Sequence, residues 1–211
     1  MARSRGHVIL LVGPSCAGKS TLADAVQTLS NVPYLIQSLD GLFAATPDSH
    51  GGSGEHTLEG FRYDWCASEL SGGAPIRRIA YGPVGRQLLE GFHRAIAAYA
   101  HAGVNVVVDD MLLDLDVLRD WSVALGDVST LLVSVSAPKE ELLRRENART
   151  RRSTPGLVEG HFDLHRGIVT DVEIDTAALD PLEAARYVLD AVTSTSPLGA
   201  ALQSLRQGNV A

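Results

Sequence analysis

Four residues near the start of the chain have the spacing to hold a phosphate. Gly13, Gly18, Lys19 and Ser20 satisfy G-x-x-x-x-G-K-[ST] within "LLVGPSCAGKSTL". Glycines let successive backbone N–H groups turn inward around an anion, and the free N–H groups at a helix start add partial positive charge. On this spacing Gly13, Pro14, Ser15, Cys16, Ala17, Gly18, Lys19, Ser20 and Thr21 are expected to wrap the phosphates of ATP. Lys19 would reach the β- and γ-phosphates and the Ser20 hydroxyl would ligate Mg²⁺. Cys16 is expected to offer only its backbone. The competing reading, a glycine-rich structural turn, is disfavoured because the motif follows an apolar run and opens a helical pattern.

Phosphoryl transfer to a hydroxyl needs a carboxylate to orient and deprotonate that hydroxyl, and commonly another to hold magnesium or its waters. Asp40, in "LIQSLDGLF", and the pair Asp109–Asp110, after "VNVVV", stand where strands are expected to end. In a parallel α/β sheet that is the ligand-binding edge. A turn-capping role is the alternative for Asp40. Further on, Arg145, Arg149 and Arg152 recur at i, i+4 and i+7, one stripe of a helix, and could bridge phosphate oxygens. The same stripe could instead be a solvated face paired with Glu140, Glu141 and Glu146.

The elements that must position these groups are short β-branched runs alternating with longer helical patterns, the mark of a parallel sheet covered by helices on both faces. Strands are expected at His7–Val12, near 34–39, at "VNVVVDD", "STLLVSVS" and "DVEIDT". Helices are expected from Gly18 to about Leu29, over 84–102, over "DLDVLRDWSVAL", over "PKEELLRRENARTRR" with proline at its first position, and over "PLEAARYVLDAV". "AATPDSHGGSGEHTLEGF" breaks the pattern and reads as a mobile loop at the functional edge. Residues from about Ser194 read as a tail that docks or frays.

At 211 residues the chain is long enough for one sizeable core, so one domain over 1–193 is expected, with 194–211 as a C-terminal tail. A net charge of -7 argues against a surface that coats nucleic acid or an anionic membrane. Cys16 and Cys66 show no metal-ligand spacing and read as ordinary reduced thiols. The N-terminal apolar run is about five residues, below the roughly 7–15 of a signal peptide, so a cytoplasmic location is expected.

"GPSCAGKS", "SLDGL", "VVVDDMLL", "RRENARTRR" read as R-E-x-A-R-x-x-R, and "LHRGIVTDVEIDT" together resemble the chloramphenicol 3-O-phosphotransferase family, in order over most of residues 7–193. The resemblance implies a three-layer α/β fold of the P-loop kinase type, like nucleoside monophosphate kinases, with a five-stranded parallel sheet. It implies transfer of the γ-phosphate of ATP to an alcohol, with Asp40 as general base, Lys19 and Arg149 in catalysis, and Arg145, Arg149 and Arg152 in a nucleotide lid over 139–166. Mg²⁺ would be served by Ser20 with Asp109 and Asp110. Residues 41–83 would shape the acceptor site; Tyr63, Trp65 and Tyr81 are candidate walls for an apolar or aromatic acceptor, with plain core or lid packing as the alternative.

That segment departs from the family member that acts on chloramphenicol, so the antibiotic itself does not carry over. A small-molecule alcohol of the antibiotic or secondary-metabolite kind is the expected substrate. The alternative is a primary-metabolite kinase, for which Arg62, Arg77, Arg78 and Arg86 would be an anion-binding set. A nucleotide-binding regulatory module is the non-enzymatic alternative; it would need neither acceptor pocket nor base. His50 and His56 lack a third ligand and are expected to face solvent. His165 matches a family histidine to which no role is assigned.

Overall fold

A computed structural model describes residues 4–67, 75–149, 154–165, 167–194 and 199–206. Five strands form one parallel sheet: β1 (His7–Val12), β2 (Tyr34–Ser38), β5 (Asn105–Asp110), β6 (Ser129–Ser136) and β7 (Val172–Asp175), in the spatial order β2-β5-β1-β6-β7. β1 is central, paired with β5 on one side and β6 on the other. Its residues Val8 to Leu11 are fully buried, as expected of a strand covered on both faces.

Strand alternation sorts the core into two layers. Val8, Leu10 and Val12 face the side covered by α3 (Pro83–His101), α4 (Leu115–Ala124) and α8 (Ala200–Arg206), meeting Ile96, Trp121 and Leu202. Ile9 and Leu11 face α1 (Lys19–Leu29) and α7 (Pro181–Ser194), meeting Val26 and Val188. Helices thus cover both faces of the sheet. α8 docks: Ala201 and Leu202 are buried, the Ala201 N–H donates to Asp171 at 3.1 Å, and Arg206 donates to the Gly126 carbonyl at 3.1 Å.

Three features differ from the sequence expectation. First, 46–60 is knit to itself rather than loose. α2 (Leu39–Ala45) and a 3-10 turn (Asp48–His50) lead into it, the His56 N–H donates to Ser49 O at 2.8 Å, and the Gly60 N–H donates to His56 O at 3.0 Å. Second, β3 (Phe61–Ala67) and β4 (Pro75–Tyr81) form an antiparallel hairpin outside the main sheet. Third, α5 (Lys139–Ala148) stops short of the basic run, and Pro138 is its N-cap rather than its first residue. α6 (Leu157–His161) then packs on β4 so closely that a Cβ on Gly160 would lie 1.8 Å from the Arg77 carbonyl oxygen.

Candidate active site

β1 delivers the 13–18 loop to the carboxyl edge of the sheet. A Cβ at Gly13 would sit 2.0 Å from the Val135 carbonyl oxygen, so only glycine lets the loop pass β6 here. Gly18 turns the chain into α1 with φ 94, and Cys16 holds a left-handed φ of 64. Lys19 is only 7% exposed. Its ammonium donates to the carbonyls of Gly13 at 2.9 Å and Pro14 at 3.0 Å and lies 3.7 Å from Asp109. The Ser20 hydroxyl donates to the other Asp109 oxygen at 2.5 Å.

Asp109 and Asp110 part company because adjacent residues of a strand point to opposite faces. Asp109 shares the face of Val107, toward α1, and reaches Lys19 and Ser20. Asp110 shares the face of Val106 and Val108, toward α4, and is fully buried. There it accepts the Leu112 N–H at 2.7 Å and the Trp121 indole N–H at 2.6 Å. Both of its oxygens are engaged, so the expectation that Asp110 serves magnesium gives way to a structural role. A hydroxyl beside a carboxylate is a hard-oxygen pair suited to Mg²⁺, and Ser20 with Asp109 fits it. Among the described residues no cluster of three or more His, Cys, Asp or Glu gathers as a metal site.

Asp40 lies in the first turn of α2, two residues past the end of β2, rather than at the strand end itself. Ser38 caps that helix by accepting the Gly41 N–H at 3.0 Å, and the Asp40 side chain is exposed. It lines a cleft of about 410 Å³ with Lys19, Ser20, Asp109, Tyr63 and Arg149. Sequence reasoning missed other walls of this cleft, Met111, Thr154 and Leu157, which no local motif marks.

Of the three candidate acceptor-site aromatics, Tyr63 alone reaches the cleft. Trp65, 55% exposed, carries the Arg77 guanidinium 3.9 Å above its ring. Tyr81 donates to Asp114 at 2.6 Å, and burial together with that carboxylate pushes its hydroxyl pKa up. The four arginines considered as an anion-binding set do not converge either. Arg62 makes two hydrogen bonds to Asp64, at 2.8 and 3.1 Å, and Arg86 lies 3.8 Å from Asp116. Arg78 is exposed.

A second cavity of about 470 Å³ lies between α1, α5 and the start of α7, walled by Leu22, Ala148, Thr176, Leu179 and Pro181. Cys16 and Arg149 line both cavities. The expected arginine stripe is broken. Arg145 sits on α5, where it donates to the Thr176 hydroxyl at 2.8 Å, the Thr176 carbonyl at 3.0 Å and Cys16 O at 3.3 Å, and holds Glu141 at 2.8 Å. Arg149 is the extended C-cap of α5, and Arg152 lies outside the described residues.

Glu141 pairs with Arg144 and Arg145 as a solvated face would, and Glu146 does something else. Buried, it accepts the N–H groups of Gly156 at 3.1 Å and Val158 at 3.0 Å, which ties α5 to the start of α6. α6 ends on His161, whose Nε2 accepts the Ile79 N–H at 3.4 Å. Burial, then the positive charges of Arg78 and Lys19, push the His161 pKa down to about 4. Nothing in the local sequence singled this residue out. The rings of His50 and His56 lie 5.1 Å apart and tilted to each other, with Ser49 and Glu55 as polar neighbours. His165 ends the 3-10 turn after α6.

Residues 6–193 match the family model described as chloramphenicol phosphotransferase-like protein. A Mycobacterium tuberculosis (strain H37Rv) protein, provisionally named an O-phosphotransferase, is 31% identical over 182 residues, 86% of this chain and 80% of that one. The ribose 1,5-bisphosphate phosphokinase of Rhodopseudomonas palustris is 27% identical over 194 residues, 91% of each chain. Among solved structures, the APS kinase of Mycobacterium tuberculosis in complex with AMPPNP and APS matches with a TM-score of 0.59 at 16% identity, over 90% of this chain and 99% of that one. At that identity the likeness shows a shared fold, that of the P-loop kinases.

Proposed function

Since the chain belongs to the chloramphenicol phosphotransferase-like family, we propose that it transfers the γ-phosphate of ATP to a hydroxyl of a small molecule, of the antibiotic or secondary-metabolite kind. One observation carries this reading: Lys19, Ser20, Asp109, Arg149 and Asp40 line a single cleft, so a phosphate-binding group, a metal-binding pair and a free carboxylate meet in one space. A regulatory module would need no such carboxylate.

The 470 Å³ cavity beside α1 and α7 supplies a seat for the nucleotide base, with Leu22, Leu179 and Pro181 as apolar walls, Arg144 and Arg145 on its α5 side, and Arg149 between it and the cleft. The loop amides and Lys19 hold the β- and γ-phosphates. Ser20 and Asp109 would hold Mg²⁺, which when bound neutralises charge on those phosphate oxygens. Asp40 accepts the proton of the acceptor hydroxyl as that oxygen bonds to the γ-phosphorus and the bond to the bridging oxygen of ADP breaks. Arg149 meets the charge that gathers on the transferring group. Arg145, engaged by Thr176, Cys16 and Glu141, positions the loop instead of contacting phosphate. A cytoplasmic location fits the use of ATP, and among the described residues no helix is long and apolar enough to cross a membrane.

The test is Asp40→Asn. The side chain is exposed, so fold and MgATP affinity should survive. Transfer should fall by about 10²–10⁴-fold, the usual worth of a positioned base. A folded variant that binds MgATP normally and transfers at wild-type rate would refute the assignment.

A further inference from the structure

Beside the cleft lies another cavity, of about 510 Å³, which the phosphate chemistry does not use. The two share Phe43, Tyr63 and Ile79 as walls. Its inner side is apolar: Phe43 and Phe61 meet edge to face at 4.7 Å, with Phe61 buried. Its outer side is the 46–53 segment, which contributes Thr46, Asp48 and Ser53. That segment is held in place by tight backbone approaches. A Cβ at Gly54 would lie 2.2 Å from Asp48 O, and one at Gly60 would lie 1.9 Å from His50 O.

Arg62, Arg77 and Arg86, which surround this chamber, already have partners, and its lining carboxylate has no ion-pair partner among the described residues. Arg62 is the one cation among the described residues that line it, and its Nε and one of its two terminal nitrogens donate to the Asp64 carboxylate. Arg77 is stacked on Trp65, and Arg86 lies over Tyr81 and against Asp116. Residues 68–74, which join β3 to β4, contain no Lys or Arg. Asp48, exposed at the rim, lines the chamber with no ion pair among the described residues, whereas the cations Lys19 and Arg149 belong to the adjoining cleft with Asp40 and Asp109. A phosphate, sulfate or carboxylate placed here would lose water and meet Asp48, while the one arginine of the chamber is already paired with Asp64. An apolar ring would instead find aromatic edges and faces at contact distance.

We propose that this chamber seats the body of the acceptor while its hydroxyl reaches Asp40, and that it selects uncharged or cationic ring-bearing alcohols and rejects anionic ones, with Asp48 as the selecting residue. The proposal rests on the reading of the adjoining cleft as the site of transfer. It predicts which of two chemically matched alcohols is accepted, which the family alone does not decide.

The test uses the full chain with MgATP for transfer, and with a non-hydrolysable ATP analogue for affinity by ligand-observed NMR. The probes are two neutral aromatic polyols, chloramphenicol and 4-nitrophenyl β-glucoside, and the carboxylate twin of the second, 4-nitrophenyl β-glucuronide. At least one neutral probe should bind, and the glucoside should exceed the glucuronide by tenfold or more in affinity or in kcat/KM. Asp48→Lys should shrink that ratio at least tenfold, chiefly by improving the glucuronide. Ser53→Trp, which fills the chamber from its exposed rim, should weaken the neutral probes at least tenfold; circular dichroism checks that both variants fold. Binding of none of the probes, a preference for the glucuronide, or an unchanged ratio in Asp48→Lys overturns the proposal. Discrimination as expected, with transfer undiminished in Asp40→Asn, would instead overturn the assignment of the base and leave the chamber standing.

Discussion

Asp109 and Asp110 are chemically identical neighbours, and the structure predicts opposite consequences for the same substitution at each. Asp110 is fully buried and accepts two N–H groups, from Leu112 and from the Trp121 indole. The first of these bonds holds Leu112 at φ 51, a left-handed conformation that a leucine adopts only under constraint. In Asp110→Asn one oxygen survives as acceptor, and the amide N–H₂ must face the other donor. The loss of one charge-assisted bond and the stranding of one buried donor together cost about 2–4 kcal/mol. For a chain of this length that lowers Tm by roughly 5–15 °C. Asp109→Asn keeps an acceptor for Ser20 and sits at the cleft, so its Tm should move much less. It removes the charge beside Ser20, however, and the Mg²⁺ concentration for half-maximal transfer should rise about 10–100-fold. The assays are thermal unfolding by circular dichroism and a Mg²⁺ titration of ADP release for each variant. A stable Asp110→Asn protein whose Mg²⁺ dependence shifts as that of Asp109→Asn does would refute the division of roles.

Three further outcomes follow from the site. Lys19→Ala should weaken ATP binding and abolish measurable transfer, because the buried ammonium is the cation nearest the loop carbonyls; calorimetric titration with an ATP analogue checks the first and ADP release the second. Arg149→Ala should lower kcat more than it raises the KM for ATP if it acts on the transition state, and unchanged steady-state kinetics would return it to a solvated residue. His161 is held neutral with its pKa pushed down to about 4, so the unfolded chain binds its proton more readily. Its contribution to stability is therefore full above the ordinary histidine value and is lost as pH falls toward 4, by about 1.4 kcal/mol per pH unit. Urea midpoints measured from pH 7 to pH 4 should fall less steeply in His161→Gln, which keeps an acceptor for the Ile79 N–H without a titrating group.

The sheet was legible because its signals are local. "HVILLV" and "STLLVSVS" are runs that only a doubly covered strand tolerates, and they match β1 and β6 residue for residue. The hairpin of β3 and β4 was not legible. "FRYDW" alternates aromatic and charged residues with the period of a half-covered strand, but its partner lies beyond a glycine-containing stretch and only the fold shows the pairing, in which Ile79 lies opposite Tyr63. The basic helix was read too long for a similar reason. Glu146, three residues before Arg149, uses its carboxylate on Gly156 and Val158, and that long-range bond ends α5 where helical periodicity would carry on.

By itself the sequence determined the phosphate loop, since G-x-x-x-x-G-K-S after a strand dictates backbone shape and charge within eight residues. It also determined the order of the five sheet strands and of the helices α1, α3, α4, α5 and α7, and the family to which the chain belongs. Only the tertiary structure decided which carboxylate of the Asp109–Asp110 pair faces α1. Alternation puts the two on opposite sides, and which side carries the nucleotide loop depends on the packing of α1 and α4. It likewise engaged Arg62, Arg77 and Arg86 with Asp64, Trp65 and Asp116, so that they do not converge as one anion-binding set. A side chain's chemistry is inherited from its residue type, but its availability depends on partners brought from elsewhere in the chain, and those no local window contains.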